Sequence, residues 1–168
     1  MIYGSLLYNE AEFNEFVTQC FVGQGPNEGG AMDQDDDGAC DAQDVSGGAL
    51  PNAPELSGSV TGRYDYVFGS EGQVLYTQLT ARYQSEVQFQ ADQHPLTTQD
   101  GYSIWDLRMG YISTGGRLEI AGYVKNLFQQ NYVSAITALS LEDDRRDTTH
   151  YLSRDADRMF GLSIAYQW

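Results

Sequence analysis

The chain has 168 residues, enough for one domain, and carries 24 acidic against 9 basic side chains, a net charge of −15. With so few Lys and Arg to meet phosphates, this composition argues against a nucleic-acid partner. No apolar run approaches the ~20 residues of a membrane-spanning helix, whereas the strands of a membrane barrel are half polar and fit a mean hydropathy of −0.44.

The first predicted strand covers residues 3–16 and alternates only weakly. The polar segment 18–54 follows, and its recurring Gly and Pro predict a long loop. Both cysteines, Cys20 and Cys40, lie in this loop, and two cysteines that close one loop suit a disulfide in an oxidising compartment. The alternative is two unrelated thiols. A zinc site is not expected, because the two histidines, His94 and His150, lack ligand spacing and are assigned no function.

The same loop holds an acidic motif, residues 33–44, with the pattern D-x-D-x-D-G-x-x-D-x-x-D. Its acidic residues fall at ligand positions of a calcium loop, and the glycine at the sixth position permits the sharp turn. The predicted ligands are the carboxylates of Asp33, Asp35, Asp37, Asp41 and Asp44 and the backbone carbonyl of Ala39. The alternative is an acidic, solvated surface loop. No cofactor other than this Ca²⁺ is expected.

Four more predicted strands follow, in which large apolar side chains alternate with polar ones. They cover residues 56–68, 73–89, 102–113 and 117–135. Residues 137–156 are then predicted to form a polar loop that includes the mixed-charge run 142–147. On the polar side of the strands we expect charges that neutralise one another, namely Arg63, Arg82 and Arg108 with Asp65, Glu86 and Asp106.

The sixth strand begins near Asp157 and continues to the end of the sequence. Its large apolar residues all point to one side, and small or polar residues point to the other. These apolar residues are Phe160, Leu162, Ile164, Tyr166 and Trp168. A strand with one apolar face and one polar face is typical of the lipid-facing wall of a membrane barrel. The sequence therefore predicts an all-β fold, an antiparallel meander of about six long strands that is part of a large transmembrane β-barrel.

The predicted connections alternate between long and short, as they do in outer-membrane barrels. We therefore expect the loops 18–54, 90–101 and 137–156 to lie outside the cell, and the barrel to lie in the bacterial outer membrane. Residues 1–4 have neither the basic start nor the apolar core of a secretory signal, so we expect the targeting information to lie upstream, in a longer protein.

Three segments of the sequence carry recognisable motifs. Residues 126–132, with Gln129 in place of the usual Asp, resemble the Asn-Leu-Phe-Asp-x-x-Tyr motif near the end of TonB-dependent outer-membrane receptors. Residues 158–162 are similar to their closing Pro-Arg-x-x-Gly pattern, although Asp157 replaces the Pro and the chain ends on Trp rather than Phe. Residues 50–54 are similar to the segment that enters an earlier barrel strand. Together the likeness covers most of residues 50–168.

The resemblance implies that the motif residues shape the barrel wall rather than contact cargo. They are Asn126, Leu127, Phe128, Tyr132, Arg158, Gly161 and Trp168. Asn126 and Leu127 would lie where the strand leaves the apolar band, and Tyr132 would bury its ring at the membrane interface. Trp168 would end a C-terminal signal that the barrel-insertion machinery reads.

The function implied by the resemblance is active transport, and no arrangement of catalytic residues predicts an enzyme. Residues 1–168 would be the C-terminal wall of a receptor that takes up a scarce solute, such as a ferric siderophore, cobalamin or a glycan. A plug domain, the earlier strands and the contact with the TonB complex would lie outside this sequence. The alternatives are a passive outer-membrane porin and a soluble calcium-binding β-domain.

Overall fold

The computed structural model describes residues 1–140 and 146–168, and strands dominate it. In chain order they are β1 (Ile2–Tyr8), β2 (Val17–Thr18), β3 (Ala31–Met32), β4 (Ala42–Asp44), β5 (Leu56–Phe68), β6 (Gln73–Gln84), β7 (Val87–Gln88), β8 (Thr98–Gln99), β9 (Tyr102–Ile112), β10 (Leu118–Lys125), β11 (Val133–Ser140), β12 (Arg146–Leu152) and β13 (Met159–Tyr166). Two short 3-10 turns, Pro95–Thr97 and Thr114–Gly116, complete the secondary structure. Within the described ranges no helix has the length and apolar character needed to cross a membrane.

Six strands, called here the long strands, form one antiparallel sheet in the order β1–β5–β6–β9–β10–β13, so each pairs with the next member of this set along the chain. The predicted all-β meander of about six strands is confirmed. The remaining strands form three smaller sheets, β2–β4–β3, β7–β8 and β11–β12.

The register of the long strands separates two faces. One row across the sheet places Leu79, Leu107, Val124 and Phe160 side by side. The next row, on the opposite face, aligns Arg63, Gln78, Arg108, Tyr123 and Gly161. We call these the apolar face and the polar face of the sheet.

The apolar face is open. The side chains that the sequence assigns to lipid remain exposed, with Leu162 at 68% and Ile164 at 65%. An exposed apolar surface of this extent marks a contact with another molecule or with a membrane.

The connections between the long strands alternate in length, as predicted. Residues 69–72 and 113–117 are short turns at one end of the sheet, called here the turn end. Gly69 and Gly72 adopt φ of 70° and 72°, the left-handed region that glycine enters without steric cost. The connections 9–55, 85–101 and 126–158 leave from the opposite end, called here the loop end.

Several predicted boundaries are wrong. The first strand ends at Tyr8 rather than at residue 16, and β6 ends at Gln84 rather than at residue 89. The Ser85 N–H still donates to the Leu56 carbonyl, which closes the β5–β6 ladder, and the chain then turns away into β7.

The predicted strand 117–135 and loop 137–156 are also corrected. The strand stops at Lys125, because Asn126 adopts φ of 49°, which the ladder cannot continue. The region predicted as a loop contains most of the hairpin β11–β12. Arg146 and Asp147 of the mixed-charge run open β12, and residues 142–145 lie outside the described residues.

The register predicts different effects of the same substitution at two adjacent residues of β6 that lie on opposite faces of the sheet. Leu79 lies on the apolar face, whereas Thr80 lies on the polar face in register with Asp106. We expect Leu79→Lys to lower the free energy of unfolding in lipid vesicles by about 2–4 kcal/mol, the cost of a cation on a lipid-facing strand. Thr80→Lys, which loses only the hydrogen bond to Thr61 and gains a carboxylate neighbour, should change it by about 1 kcal/mol. Denaturant titration measures both, and equal costs would contradict the assignment of the faces.

Candidate functional site

The long connections pack together at the loop end. The Gln43 side-chain amide, in the connection 9–55, donates to the Asp92 carbonyl in the connection 85–101 at 2.8 Å. The hairpin β11–β12 joins them through the Ala138 N–H, which donates to Gln90 Oε1 in the connection 85–101 at 3.2 Å. We call this assembly the loop layer.

The interior of the loop layer combines apolar side chains with an unusual number of buried polar ones. Its most buried polar side chains are Gln24, Gln43, Gln88, His94 and Thr97. The Gln24 amide donates to Gln43 Oε1 at 3.0 Å, and the Thr97 hydroxyl donates to Gln88 Oε1 at 2.7 Å. His94, for which the sequence predicts no function, is fully buried and lies edge-on to Phe21 with ring centroids 5.0 Å apart. Because buried polar groups are stable only when hydrogen-bonded, this network defines how the loops pack.

The disulfide between Cys20 and Cys40 is present, as predicted. It ties the residues after β2 to those before β4, and these two strands are antiparallel neighbours. A cross-link of this kind stabilises a loop mainly by limiting the conformations of the unfolded chain.

The acidic motif brings three of the predicted calcium ligands together. Candidate ligand oxygens of Asp33, Asp35 and Asp37 lie within 4.8 Å of one another. Asp33 accepts the N–H of Gly38 at 3.0 Å, and Asp37 accepts that of Ala39 at 2.8 Å. These bonds fold the motif into a tight turn.

Asp41 and Asp44 lie outside that group of three. The Asp41 carboxylate accepts the Gln34 N–H at 2.7 Å. Asp44 lies at the end of β4 opposite Gly30, and its carboxylate accepts both the hydroxyl and the N–H of Ser46. These two bonds hold the pKa of the Asp44 carboxyl below its usual range. The structure therefore does not bring Asp44 together with the other predicted ligands, and its role as a ligand stays a prediction.

Asn126 is the buried centre of the first resemblance motif, 1% exposed. Its Nδ2 donates to the carbonyls of Gln130 and Ala156 at 2.9 and 2.7 Å, and its Oδ1 accepts the Gln130 N–H at 2.8 Å. Its own N–H donates to Asp106 Oδ1 at 2.9 Å. Asn126 therefore ties the end of β10 to β9 and to the segment that leads into β13.

The two aromatic residues of that motif lie on different faces. Phe128 is 67% exposed and meets Trp105 of the apolar face edge-on, with ring centroids 6.1 Å apart. The ring of Tyr132, which the resemblance places at the membrane interface, stacks on Tyr102, a residue of the polar face. The position at the edge of the apolar face belongs to Phe128 instead.

The remaining motif residues lie in or beside β13. Gly161 faces the Tyr123 ring across the strand pair, and any Cβ there would clash with that ring. The glycine therefore provides the space in which the tyrosine packs. Arg158 is exposed directly before β13, and Trp168 is fully exposed after it.

Charged residues on the polar face neutralise one another. Arg63 pairs with Asp65 at 2.7 Å and Arg82 with Asp106 at 2.9 Å, as predicted. Arg108 pairs with Glu119 at 3.0 Å, a partner that sequence reasoning missed although the alternation of β10 places it on this face. The expected role of Glu86 is wrong, because this residue follows the end of β6.

Arg108 is also the centre of a wider network on this face. It donates to the Tyr76 hydroxyl and to Ser163 Oγ at 2.8 and 2.9 Å, and so connects β6, β9, β10 and β13. The Arg63 guanidinium lies 4.0 Å from the centroid of the Tyr76 ring, which extends the network to β5. Such cross-strand contacts fix the register from which both faces follow.

The loop layer is strongly acidic. The connections 9–55 and 85–101 carry eleven and three carboxylates, and neither contains a Lys or Arg. Their combined field attracts cations and repels anions at this end of the sheet.

The sequence profile of the family described as "TonB dependent receptor-like, beta-barrel" matches residues 8–127, well over half of the chain. The chain belongs to this family. Its six-stranded sheet is thus part of a TonB-dependent receptor barrel, and the family acts in TonB-dependent transport across the bacterial outer membrane. Neither a curated protein nor a solved structure gives a significant match.

The matched residues include Asn126 and Leu127, at the start of the first motif. Tyr132, Arg158, Gly161 and Trp168 follow the matched segment, so the roles that the resemblance implies for them stay predictions.

Asn126 and Gln129 form a matched pair for a stability test, since both adopt positive φ, at 49° and 55°. Asn126→Ala removes the side-chain hydrogen bonds and leaves buried backbone groups unpaired, so we expect it to lower the free energy of unfolding by about 2–4 kcal/mol. Gln129→Gly relieves an exposed positive φ, and we expect a change of about 1 kcal/mol or less. Denaturant titration of the folded protein in detergent measures both, and an unaffected Asn126→Ala variant would contradict the bridging role.

Proposed function

We propose that this chain forms part of the wall of an outer-membrane active transporter that takes up a scarce solute with energy delivered through TonB. The observation that carries the proposal is the match of residues 8–127 to the receptor barrel family. The open apolar face suits contact with outer-membrane lipid, and the polar face suits a solvated interior. The loop layer then meets cargo first.

The remaining partners follow from the same proposal. The TonB complex would act through a part of the protein outside residues 1–168, where the plug would also lie. The barrel-insertion machinery would read the alternating apolar side chains of β13 and Trp168. The cargo would be a ferric siderophore, cobalamin or a glycan. A passive porin is disfavoured by the family match, and a soluble β-domain by the extent of exposed apolar surface.

Two measurements test this function without knowledge of the cargo. Cells that express the protein should retain it in the outer-membrane fraction, because the apolar face requires lipid. The full-length protein that contains residues 1–168, purified and placed in planar bilayers, should show no steady ion conductance, since a plugged active transporter is closed at rest. A soluble protein would contradict the membrane assignment, and a permanently open channel would identify a porin.

Uptake then tests the energy source. Labelled ferric siderophore, cobalamin and neutral oligosaccharide are supplied to wild-type cells, to cells without this gene and to cells without TonB. We expect the uptake of one of these solutes to fall in both mutants. Uptake that needs the gene but persists without TonB would contradict active transport.

Calcium remains a prediction for the acidic motif, supported by the grouping of Asp33, Asp35 and Asp37. If Ca²⁺ binds there, it should slow amide hydrogen exchange over residues 31–41, and a chelator should reverse the effect. Asp35→Asn should abolish this protection. Asp36→Asn removes the same charge outside the group and is the matched control. Equal protection with and without Ca²⁺ would remove the proposal.

A further inference from the structure

A cavity of about 290 Å³ opens at the loop end, on the side of the polar face. We call it the mouth cavity. It is lined by Asn52, Pro54, Gln84, Val87, Phe89, Tyr102, Tyr132, Val133, Ser134 and Ser153. Its volume is near the lower end of small-molecule sites, which begin at ~300 Å³. The lining residues belong to the segment that enters β5, the end of β6, β7 with the residues after it, the start of β9 and the β11–β12 hairpin with its flanking residues.

Two stacked tyrosines form one side of the mouth cavity. The rings of Tyr102 and Tyr132 lie 4.8 Å apart with an angle of 20° between their planes. Stacking fixes the orientation of both rings before any ligand arrives. Phe89 adds a third aromatic side chain. A ligand with a planar ring, or with a ring that has an apolar face, could therefore pack against this rigid aromatic surface.

The cavity also presents hydrogen-bonding groups that the fold leaves unused. Within residues 1–140 and 146–168, the side chains of Gln84, Tyr102, Tyr132 and Ser153 make no hydrogen bond to protein atoms, whereas the Ser134 hydroxyl donates to the Tyr151 carbonyl. Amide and hydroxyl groups both donate and accept. A purely hydrocarbon ligand would leave them unpaired on desolvation.

The mouth cavity has no charged lining residue, although the chain carries 33 charged side chains. An ionised ligand would lose water there without meeting an opposite charge, which is costly. The acidic connections 9–55 and 85–101 would in addition repel an anion on approach. A ligand that combines a ring with many hydrogen-bonding groups therefore fits this site better when it is neutral than when it is ionised.

We propose that the mouth cavity is a cargo subsite that holds one unit of a neutral saccharide, with a ring face against the tyrosine pair and hydroxyl groups bonded to Gln84 and Ser153. This inference rests on the proposed transport function and narrows its cargo to the glycan class. Tyr102 and Tyr132 would supply the contact with the sugar ring, a role that for Tyr132 replaces the purely structural one implied by the resemblance. The uncharged lining would exclude acidic sugars.

Isothermal titration of the purified protein in detergent tests the proposal. The probes are neutral malto-, cello- and xylo-oligosaccharides and, as charged counterparts, oligogalacturonates. We expect at least one neutral series to bind and the oligogalacturonates to bind at least about tenfold more weakly. No binding by any neutral series, or equal binding of the charged one, would overturn the inference.

Substitutions locate the binding. Tyr132→Ala should weaken neutral saccharide binding about tenfold or more, and Gln84→Ala by a smaller factor. Tyr151→Ala, which removes an exposed tyrosine of the same hairpin outside the cavity, should leave binding unchanged. Because Gln84→Ala keeps the aromatic pair, this variant still tests whether the cavity binds the saccharide if Tyr132→Ala fails to fold. Binding that neither variant weakens would overturn the site.

The two proposals fail in different ways. TonB-dependent uptake of a non-saccharide solute, without saccharide binding, would overturn only the subsite. Saccharide binding by a protein whose uptake persists without TonB would overturn the transport proposal and leave the subsite in place.

Discussion

The antiparallel register of the six long strands is the constraint on which the rest of the structure depends. Successive side chains of a strand point to opposite faces, so a slip of one residue would exchange the apolar face and the polar face. The contacts around Arg108 oppose such a slip, because each links side chains that share a face only in the observed pairing. The same register allows the tyrosine rings to pack over Gly110 and Gly161, where any other residue would collide with them.

The loop layer follows a different principle from the sheet. It buries apolar side chains, among them Phe21, Val45, Val87 and Ile136, and its order comes in addition from amide and hydroxyl hydrogen bonds, one disulfide and the strand ends to which it is attached. Hydrogen bonds are directional, whereas the hydrophobic effect is not, so this kind of interior favours one arrangement of loops. A rigid sheet that carries shaped loops at one end is a common way to present a binding surface.

The sequence predicted the sheet well because alternation is a local signal. A period of two residues identifies β5, β6, β9 and β13 without knowledge of their partners. The ends of the strands are harder to predict from the sequence. The stop at Asn126 depends on a positive φ stabilised by Gln130 and Ala156, and the latter contact is distant in sequence.

The candidate site shows the same division. The disulfide and the grouping of three aspartates follow from spacing within one loop, and both are present. The position of Tyr132 does not follow from spacing within one loop, because it depends on the ring of Tyr102 thirty residues earlier in the chain. The burial of His94 likewise depends on a loop that begins far upstream. Spacing reports on neighbours in sequence, whereas these residues acquire their surroundings only when separate loops meet.

The carboxylate of Asp106 has a consequence for how the sheet and the loop layer move. One of its oxygens accepts from Arg82 on the polar face, and the other accepts the backbone N–H of Asn126, whose side chain holds the base of the hairpin β11–β12. A single rigid group therefore serves both as an ion-pair partner in the wall and as an anchor for the hairpin. Displacement of either structure strains the bonds of the other, so the hairpin and this part of the wall behave as one mechanical unit.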